Sequence, residues 1–429
     1  MRDIELKKAT LADRDKKHLW HPLTQHKLSP DMLPIKKARG CVLTDDEGRE
    51  YIDAISSWYT AVYGHCNKFI TARVAEQMQN LDQVVFSGFT HEPAIKLSEA
   101  LVKILPEGQQ KLFFNDNGST ATEIGIKMAL QYHHNLGNDR KVMLAFEEGF
   151  HGDTFGAMSV SGLSVYNGAF EDHFIRVERI PVPDGRNNPE VIAKLRQVIS
   201  EDKIAGFIYE PLIQGAAAMK FHDAEGLNEI LRICRENDIV KVADEVMTGF
   251  GKTGKYFASD YIEEKPDVVC MSKALTAGLL PMGLTSCTQE IYDAFFSDDI
   301  AKGLFHGHTY TANPLACAAA LAALELLISE EMQENIKEIS KKNRAFAEEM
   351  KIHPKVKNIR SRGVILAFEL DVQMERYGNL RNKLFQYFME KGVFLRPLGN
   401  TIYIVPPYVI GDEELEKVYS TLRGVLSEF

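Results

Sequence analysis

Between positions 111 and 288, short apolar runs alternate with amphipathic segments. The runs are "KLFFN" (111–115), "KVMLAF" (141–146), "AGFIYEP" (205–211), "IVKVADEV" (239–246), "DVVCMS" (267–272) and "GLTSCT" (283–288). Their Val, Ile and Phe content without strict alternation predicts strands buried on both faces. Helices are expected between them at about 119–134, 189–201 and 224–237. The alternation predicts an α/β fold, a mainly parallel sheet covered by helices.

From Ala312 the text becomes "ANPLACAAALAALELLIS", a strong helix former, and a charged amphipathic helix follows to about Met350. Beyond it the order reads strand, helix, hairpin, helix: "GVILAFEL", "LRNKLFQYFMEKG", "VFLRPLGNTIYIVPPY" turning at Gly399-Asn400, and a last helix opening at "GDEELEKVY". "GCVLTDDEGREYIDA" near the start is a second hairpin, turning at Asp46 to Gly48. Together these predict a smaller α+β domain built from both chain ends, 1–55 and 326–429, around a large domain at 56–325. Internal repeats and low-complexity segments are not evident.

Length and composition narrow the function. A chain of 429 residues, 45% hydrophobic and 26% charged, is an ordinary globular protein with room for a large core. Its net charge of -10 gives no reason to expect nucleic acid or an anionic membrane as partner. The six cysteines are scattered without a C-x-x-C pair, which predicts reduced thiols rather than disulfides or zinc ligands. The charged N-terminal stretch lacks an apolar signal core, and no run approaches the ~20 apolar residues of a membrane span. A cytoplasmic protein acting on small molecules is expected.

Four features carry candidate chemistry. Lys273 ends the apolar run "VVCMSK", where a buried cation must be paired, solvated or chemically consumed. Asp244 closes "KVAD", at a strand end where α/β proteins place ligand contacts. Its neighbour Glu245 is read as a cap or surface partner. Gly118 and Ser119 stand between a strand and a helix, where free N–H groups favour a phosphate; a plain helix cap by Ser119 or Thr120 is an equal alternative. "GFHGDTFGAMS" (149–159) offers an aromatic, a histidine and an acid in a glycine-framed loop. "GFGKTGK" fails as a P-loop because its opening glycine would fall on Val246. "HGHT" (306–309) and His133-His134 lack partners at metal-site spacing, and no metal is expected. A lysine, an aspartate, a phosphate niche and a stacking face together fit one cofactor, pyridoxal 5'-phosphate (PLP).

"ADEVMTGFGKTGKYFA", "PDVVCMSKALTAG", "HGHTYTANPLACAAA" and "FHGDT", with spacings that run across nearly the whole chain, resemble the class III (ω-amino) aminotransferases of fold-type I. That resemblance implies a PLP-dependent transferase with a seven-stranded, mainly parallel sheet, working as a homodimer with sites at the subunit interface. It makes Lys273 the Schiff-base lysine and Asp244 the partner of the pyridine nitrogen. Gly118 and Ser119 would hold the phosphate, with Thr309 reaching it from the other subunit and His308 beside the cofactor. Phe150 would stack on the ring, while Trp58, Asp153, Gly307 and Arg396 would meet the substrate. "HLWHPLTQH", "DAISSWYTAVYGH" and "FSGFTHEPA" further resemble the branch that aminates 8-amino-7-oxononanoate in biotin biosynthesis, with S-adenosylmethionine, or lysine, as donor. The alternative is another ω-aminotransferase acting on diamines or ω-amino acids. Leu23, Tyr59, Phe150 and Lys252 stand where the family usually has Tyr, Trp, Tyr and Arg, and these departures bear mainly on the donor.

Overall fold

The computed structural model describes residues 9–164, 167–372 and 379–429; the first eight residues of the charged N-terminal stretch lie outside them. The main sheet has seven strands: β1 (Gln109–Asn115), β2 (Val142–Phe146), β3 (Val177–Ile180), β4 (Ile204–Tyr209), β5 (Val240–Asp244), β6 (Val268–Met271) and β7 (Gly283–Thr288). Their spatial order is β1-β7-β6-β5-β4-β2-β3. Strands β6, β5, β4, β2 and β3 pair in parallel, and β7 is antiparallel to both β6 and β1. Six strands therefore point one way, with β7 opposed. Every residue of β2, β4, β5 and β6 is buried, which is why these strands read as unbroken apolar runs. β3 gave no such signal: it is an edge strand, "VERI", with only Ile180 buried.

Helix α1 (Gly118–Asn135) follows β1 and lies close on the sheet. A Cβ at Gly125 would come within 2.9 Å of Cys270 Sγ and of Val242 Cγ1, so glycine lets the helix backbone approach β5 and β6. Helix α2 spans Asn188–Glu201 and α3 Ala224–Glu236, and α3 turns Leu227, Ile230, Leu231 and Cys234 inward at helical spacing. Helix α4 (Pro314–Leu327) starts at Asn313, whose Oδ1 accepts from the N–H groups of Leu315 and Ala316. It is apolar nearly all round because it packs against two further helices, Lys68–Asn80 and Glu92–Val102. Helix α5 (Glu330–Met350) is the charged amphipathic segment, capped by Ser329.

The C-terminal hairpin is the main correction to the sequence reading. Gly399 (φ 64°) and Asn400 do form a tight turn, closed by paired hydrogen bonds between Leu398 and Thr401. The arms then part. Val393–Phe394 adds in parallel to Glu50–Asp53, whereas Thr401–Ile404 pairs with Ile365–Leu370. Each arm finds a longer partner in a different small sheet, and that outweighs continued pairing with the other arm. The N-terminal hairpin forms as expected, Val42–Asp45 against Glu50–Asp53, with Gly48 at φ 88° in its turn. A polar edge strand, Val356–Arg362, was not legible in the pattern. The six cysteines are free, and only Cys66 is exposed. Among the described residues no helix is long and apolar enough to cross a membrane.

Candidate active site

The strands that point one way deliver their C-terminal ends to one edge of the sheet. There β1 leads into Gly118 and Ser119, β2 into the loop Gly149–Thr154, β4 into Glu210, β5 ends at Asp244, and β6 leads to Lys273. Such an edge is where open α/β sheets bind ligands.

Lys273 opens a short 3₁₀ turn just past β6 and takes a left-handed backbone, φ 45°. A non-glycine residue there is uncommon, and such strain clusters at functional sites. Its Nζ lies 5.7 Å from the centre of the Tyr59 ring. Burial lowers the amine below the usual lysine range, opposed by the charges of Asp244 and Glu210. The cation problem posed by the sequence is thus met in part by two nearby acids.

Asp244 is buried and held by two donors. His151 Nδ1 lies 2.7 Å from its Oδ2, and the Val246 N–H donates to its Oδ1 at 3.0 Å. The other ring nitrogen of His151, Nε2, is buried without a hydrogen-bond partner. Glu210 accepts from the N–H groups of Phe150 (3.1 Å) and Gly215 (2.9 Å). Burial pushes its carboxyl up to about 7, with His151 acting downward and Asp244 upward. Glu210 escaped the sequence reading, although "FIYE" ends a buried run in an acid just as "KVAD" does. His151 was noticed only as a histidine in a loop.

At the start of α1 the capping alternatives resolve. Asn117 Oδ1 accepts from the Thr120 N–H (3.0 Å) while Thr120 Oγ1 accepts from the Asn117 N–H (3.1 Å). Asn117 is the cap, so the N–H groups of Gly118 and Ser119 stand outside the capping box. Ser119 Oγ instead accepts from the Asp153 N–H at 3.2 Å. A Cβ on Gly152 would sit 2.2 Å from Ser119 Oγ, and one on Gly118 2.9 Å from Val246 Cγ1. These close approaches leave backbone donors bare at a helix N-terminus, a cradle for a phosphate. Phe150 exposes its ring on the same loop. The cradle, the buried acid and the lysine at one sheet edge fit PLP.

A second group stands beside Lys273. Ser56, Ser57, Trp58 and Tyr59 are four consecutive non-glycine residues with φ of 50°, 43°, 69° and 72°. Left-handed backbone costs roughly 1–2 kcal/mol per residue. The turn presents Trp58, with the Arg396 guanidinium 5.2 Å from its ring centre. Tyr59 donates from its hydroxyl to the Tyr403 hydroxyl at 3.0 Å.

The remaining candidates are more dispersed. His308 Nδ1 is 3.3 Å from Asp116 Oδ2 and its Nε2 is 2.9 Å from His306 Nε2, which brings the 306–309 loop beside the β1–α1 turn. Gly307 and Thr309 are exposed, and the Thr309 carbonyl accepts from Gln83 at 2.9 Å. Asp153 and Leu23 are exposed. Lys252 is fully buried, donating to the Gly249 carbonyl at 2.8 Å; burial, then repulsion from Lys273, lowers its amine to about 7. Glu245 is structural: it accepts from Thr248, Ala258 and Ser259 and ties their segments together. His133 is buried against the Ala205 carbonyl, and among the described residues no group of three or more His, Cys, Asp or Glu is placed to hold a metal ion.

The architecture and this edge define a PLP-dependent aminotransferase, and the chain belongs to the class III aminotransferases, whose family profile matches residues 24–426. More particularly, it is 42% identical over 422 residues to the adenosylmethionine-8-amino-7-oxononanoate aminotransferase of Synechococcus elongatus, covering 96% of this chain and 99% of that protein. The crystal structure of the Methanocaldococcus jannaschii protein of that name superposes with a TM-score of 0.92 at 35% identity, covering 97% of this chain and 98% of the other. The omega transaminase of Pseudomonas jessenii in complex with PMP gives a TM-score of 0.91 at 26% identity, covering 98% of each chain.

Proposed function

We propose that this aminotransferase acts in biotin biosynthesis, converting 8-amino-7-oxononanoate to 7,8-diaminononanoate with S-adenosylmethionine, or else lysine, as amino donor. The observation that supports the reading is Lys273 at the sheet edge, within reach of the charge of Asp244, which His151 holds, and with its Nζ 5.7 Å from the ring of Tyr59, the neighbour of the Trp58 that Arg396 faces. Relatives at 35–42% identity bear the name of this activity, whereas the omega transaminase is 26% identical, which favours it over a diamine ω-aminotransferase.

When bound, PLP supplies an aldehyde for amine exchange and a ring that withdraws electrons from the reacting carbon. In this reading Lys273 would be the residue that holds the cofactor through its aldehyde, and its Nζ would serve as the base and acid that moves a proton at the reacting carbon. Burial lowers the amine below the usual lysine range, against the charges of Asp244 and Glu210, and so raises the share of neutral amine that can attack or take up a proton. Asp244, steadied by His151, holds a proton at the pyridine nitrogen. The first-turn N–H groups of α1 and Ser119 hold the phosphate, and Phe150 covers the ring. Arg396 meets the acceptor carboxylate with a bidentate fork against Trp58, and Asp153 and Gly307 contribute to the substrate pocket.

We place the reaction in a cytoplasmic homodimer in which Thr309 of the partner subunit completes the phosphate site, with His308 alongside. The exposure of Thr309 and its apolar neighbours Phe305 and Tyr310 supports this. The same reading divides the chain into a cofactor-binding domain, 56–325, and a smaller one from 1–55 and 326–429. The test has two parts. Purified protein carries a PLP absorbance band that Lys273→Ala abolishes. Amination of 8-amino-7-oxononanoate then follows ping-pong kinetics with S-adenosylmethionine or lysine, and no amination with either donor overturns the assignment.

A further inference from the structure

The strained turn Ser56–Tyr59 is held by a part-buried cluster to which the reaction assigns no part. Asp53 is fully buried at the end of its strand, and its Oδ1 accepts from the Ile55 N–H at 3.2 Å. Its Oδ2 accepts from Ser57 Oγ at 2.8 Å and lies 2.8 Å from His65 Nε2, which is itself 3.3 Å from Ser57 Oγ. One carboxylate oxygen thus binds both the second left-handed residue and a histidine eight positions beyond it. The histidine is rigidly based. The His65 N–H donates to the Gly40 carbonyl at 2.7 Å, and the Gly40 N–H returns a bond to the His65 carbonyl at 3.1 Å. The Asp53 N–H donates to the Cys41 carbonyl at 2.7 Å, so both partners are anchored to the adjacent residues Gly40 and Cys41.

We propose that Asp53, His65 and Ser57 form a latch that holds the left-handed turn and thereby positions Trp58 for the acceptor substrate. The inference rests on the substrate-facing role of Trp58 read above. Three facts support it. The turn is built from residues that do not favour φ above 0°, so it persists only where surrounding bonds over-determine it. The latch bonds Ser57, next to Trp58, while Ser56 Oγ is fixed separately to the Val405 carbonyl at 2.7 Å. Trp58 itself is 42% exposed and rests on Arg396, so its own packing does not fix it. Released from Asp53, residue 57 returns to ordinary backbone angles and the indole leaves its place over the guanidinium. Asp53, His65 and Ser57 are positioning residues that act through the turn they hold.

Trp20 and Trp58 are the two tryptophans of the chain, so Trp20→Phe makes indole fluorescence a direct report on the turn. In that background, as holoenzyme, Ser57→Ala and His65→Ala are expected to raise acrylamide quenching of Trp58 about twofold. They should raise the KM for 8-amino-7-oxononanoate about tenfold, with kcat and the PLP absorbance band within twofold of the parent. His65→Gln, which keeps a donor near Asp53, should recover most of the KM. Trp58→Ala run alongside separates the two claims. If it raises KM while the latch variants change neither quenching nor KM, the latch is overturned. If Trp58→Ala leaves KM unchanged, the substrate role of Trp58 falls, and the positioning proposal falls with it. Ser57→Ala deletes one hydroxyl, and a parental thermal midpoint shows that its effect is local.

Discussion

At the scale of single residues, the chemistry depends on ionisable groups held where water cannot relax them. In the proposed reaction Asp244 would meet the ring nitrogen, and its carboxylate is already bonded to His151 and the Val246 N–H. Asp244→Asn keeps the shape and removes the charge, so kcat should fall by roughly 10²-fold or more while PLP remains bound, as read by stopped-flow half-reactions. Lys252 gives a second test. Its folded value of about 7 lies below the ordinary lysine range, so between about pH 7 and 10 the unfolded chain binds more protons and stability rises with pH. Lys252→Met should flatten that rise in urea-denaturation midpoints measured across the window. Lys273 and Asp244 were legible because each is a charge ending an apolar run. The Trp58–Arg396 contact was not, because no local pattern relates residues from opposite ends of a chain.

At the scale of elements, helices and strands with one dominant environment were readable, and those with mixed surroundings were not. β5 and α3 match their predicted ranges to within a residue or two because buried strands and amphipathic helices write distinct periods. β3 and Val356–Arg362 are edge strands whose side chains are mostly only partly buried and polar, so their sequences look like loops. Within α1 the constraint is steric. Gly125→Ala places a methyl against Cys270 and Val242, and the helix cannot withdraw without losing its contact with β5 and β6. We expect a loss of about 1–3 kcal/mol, measured by equilibrium unfolding, with kcat retained in the folded fraction.

At the scale of the whole molecule, a site assembled from one sheet edge is completed by a second copy in the proposed dimer. Hybrid dimers test this directly. Lys273→Ala and Thr309→Ala chains, each impaired alone, should form hybrids with one intact site, so co-expressed protein should exceed the summed activity of the parents. No gain would mean that Thr309 serves its own chain. The parallel pairing of Val393–Phe394 with Glu50–Asp53 has a different consequence, one of timing. A ribosome adding ~5–20 residues per second needs tens of seconds to travel from the first of these strands to the second. Throughout that interval the nascent chain carries an open strand edge. That strand is only four residues long and half acidic, "EYID", features that discourage pairing with another polypeptide until its own distant segment emerges.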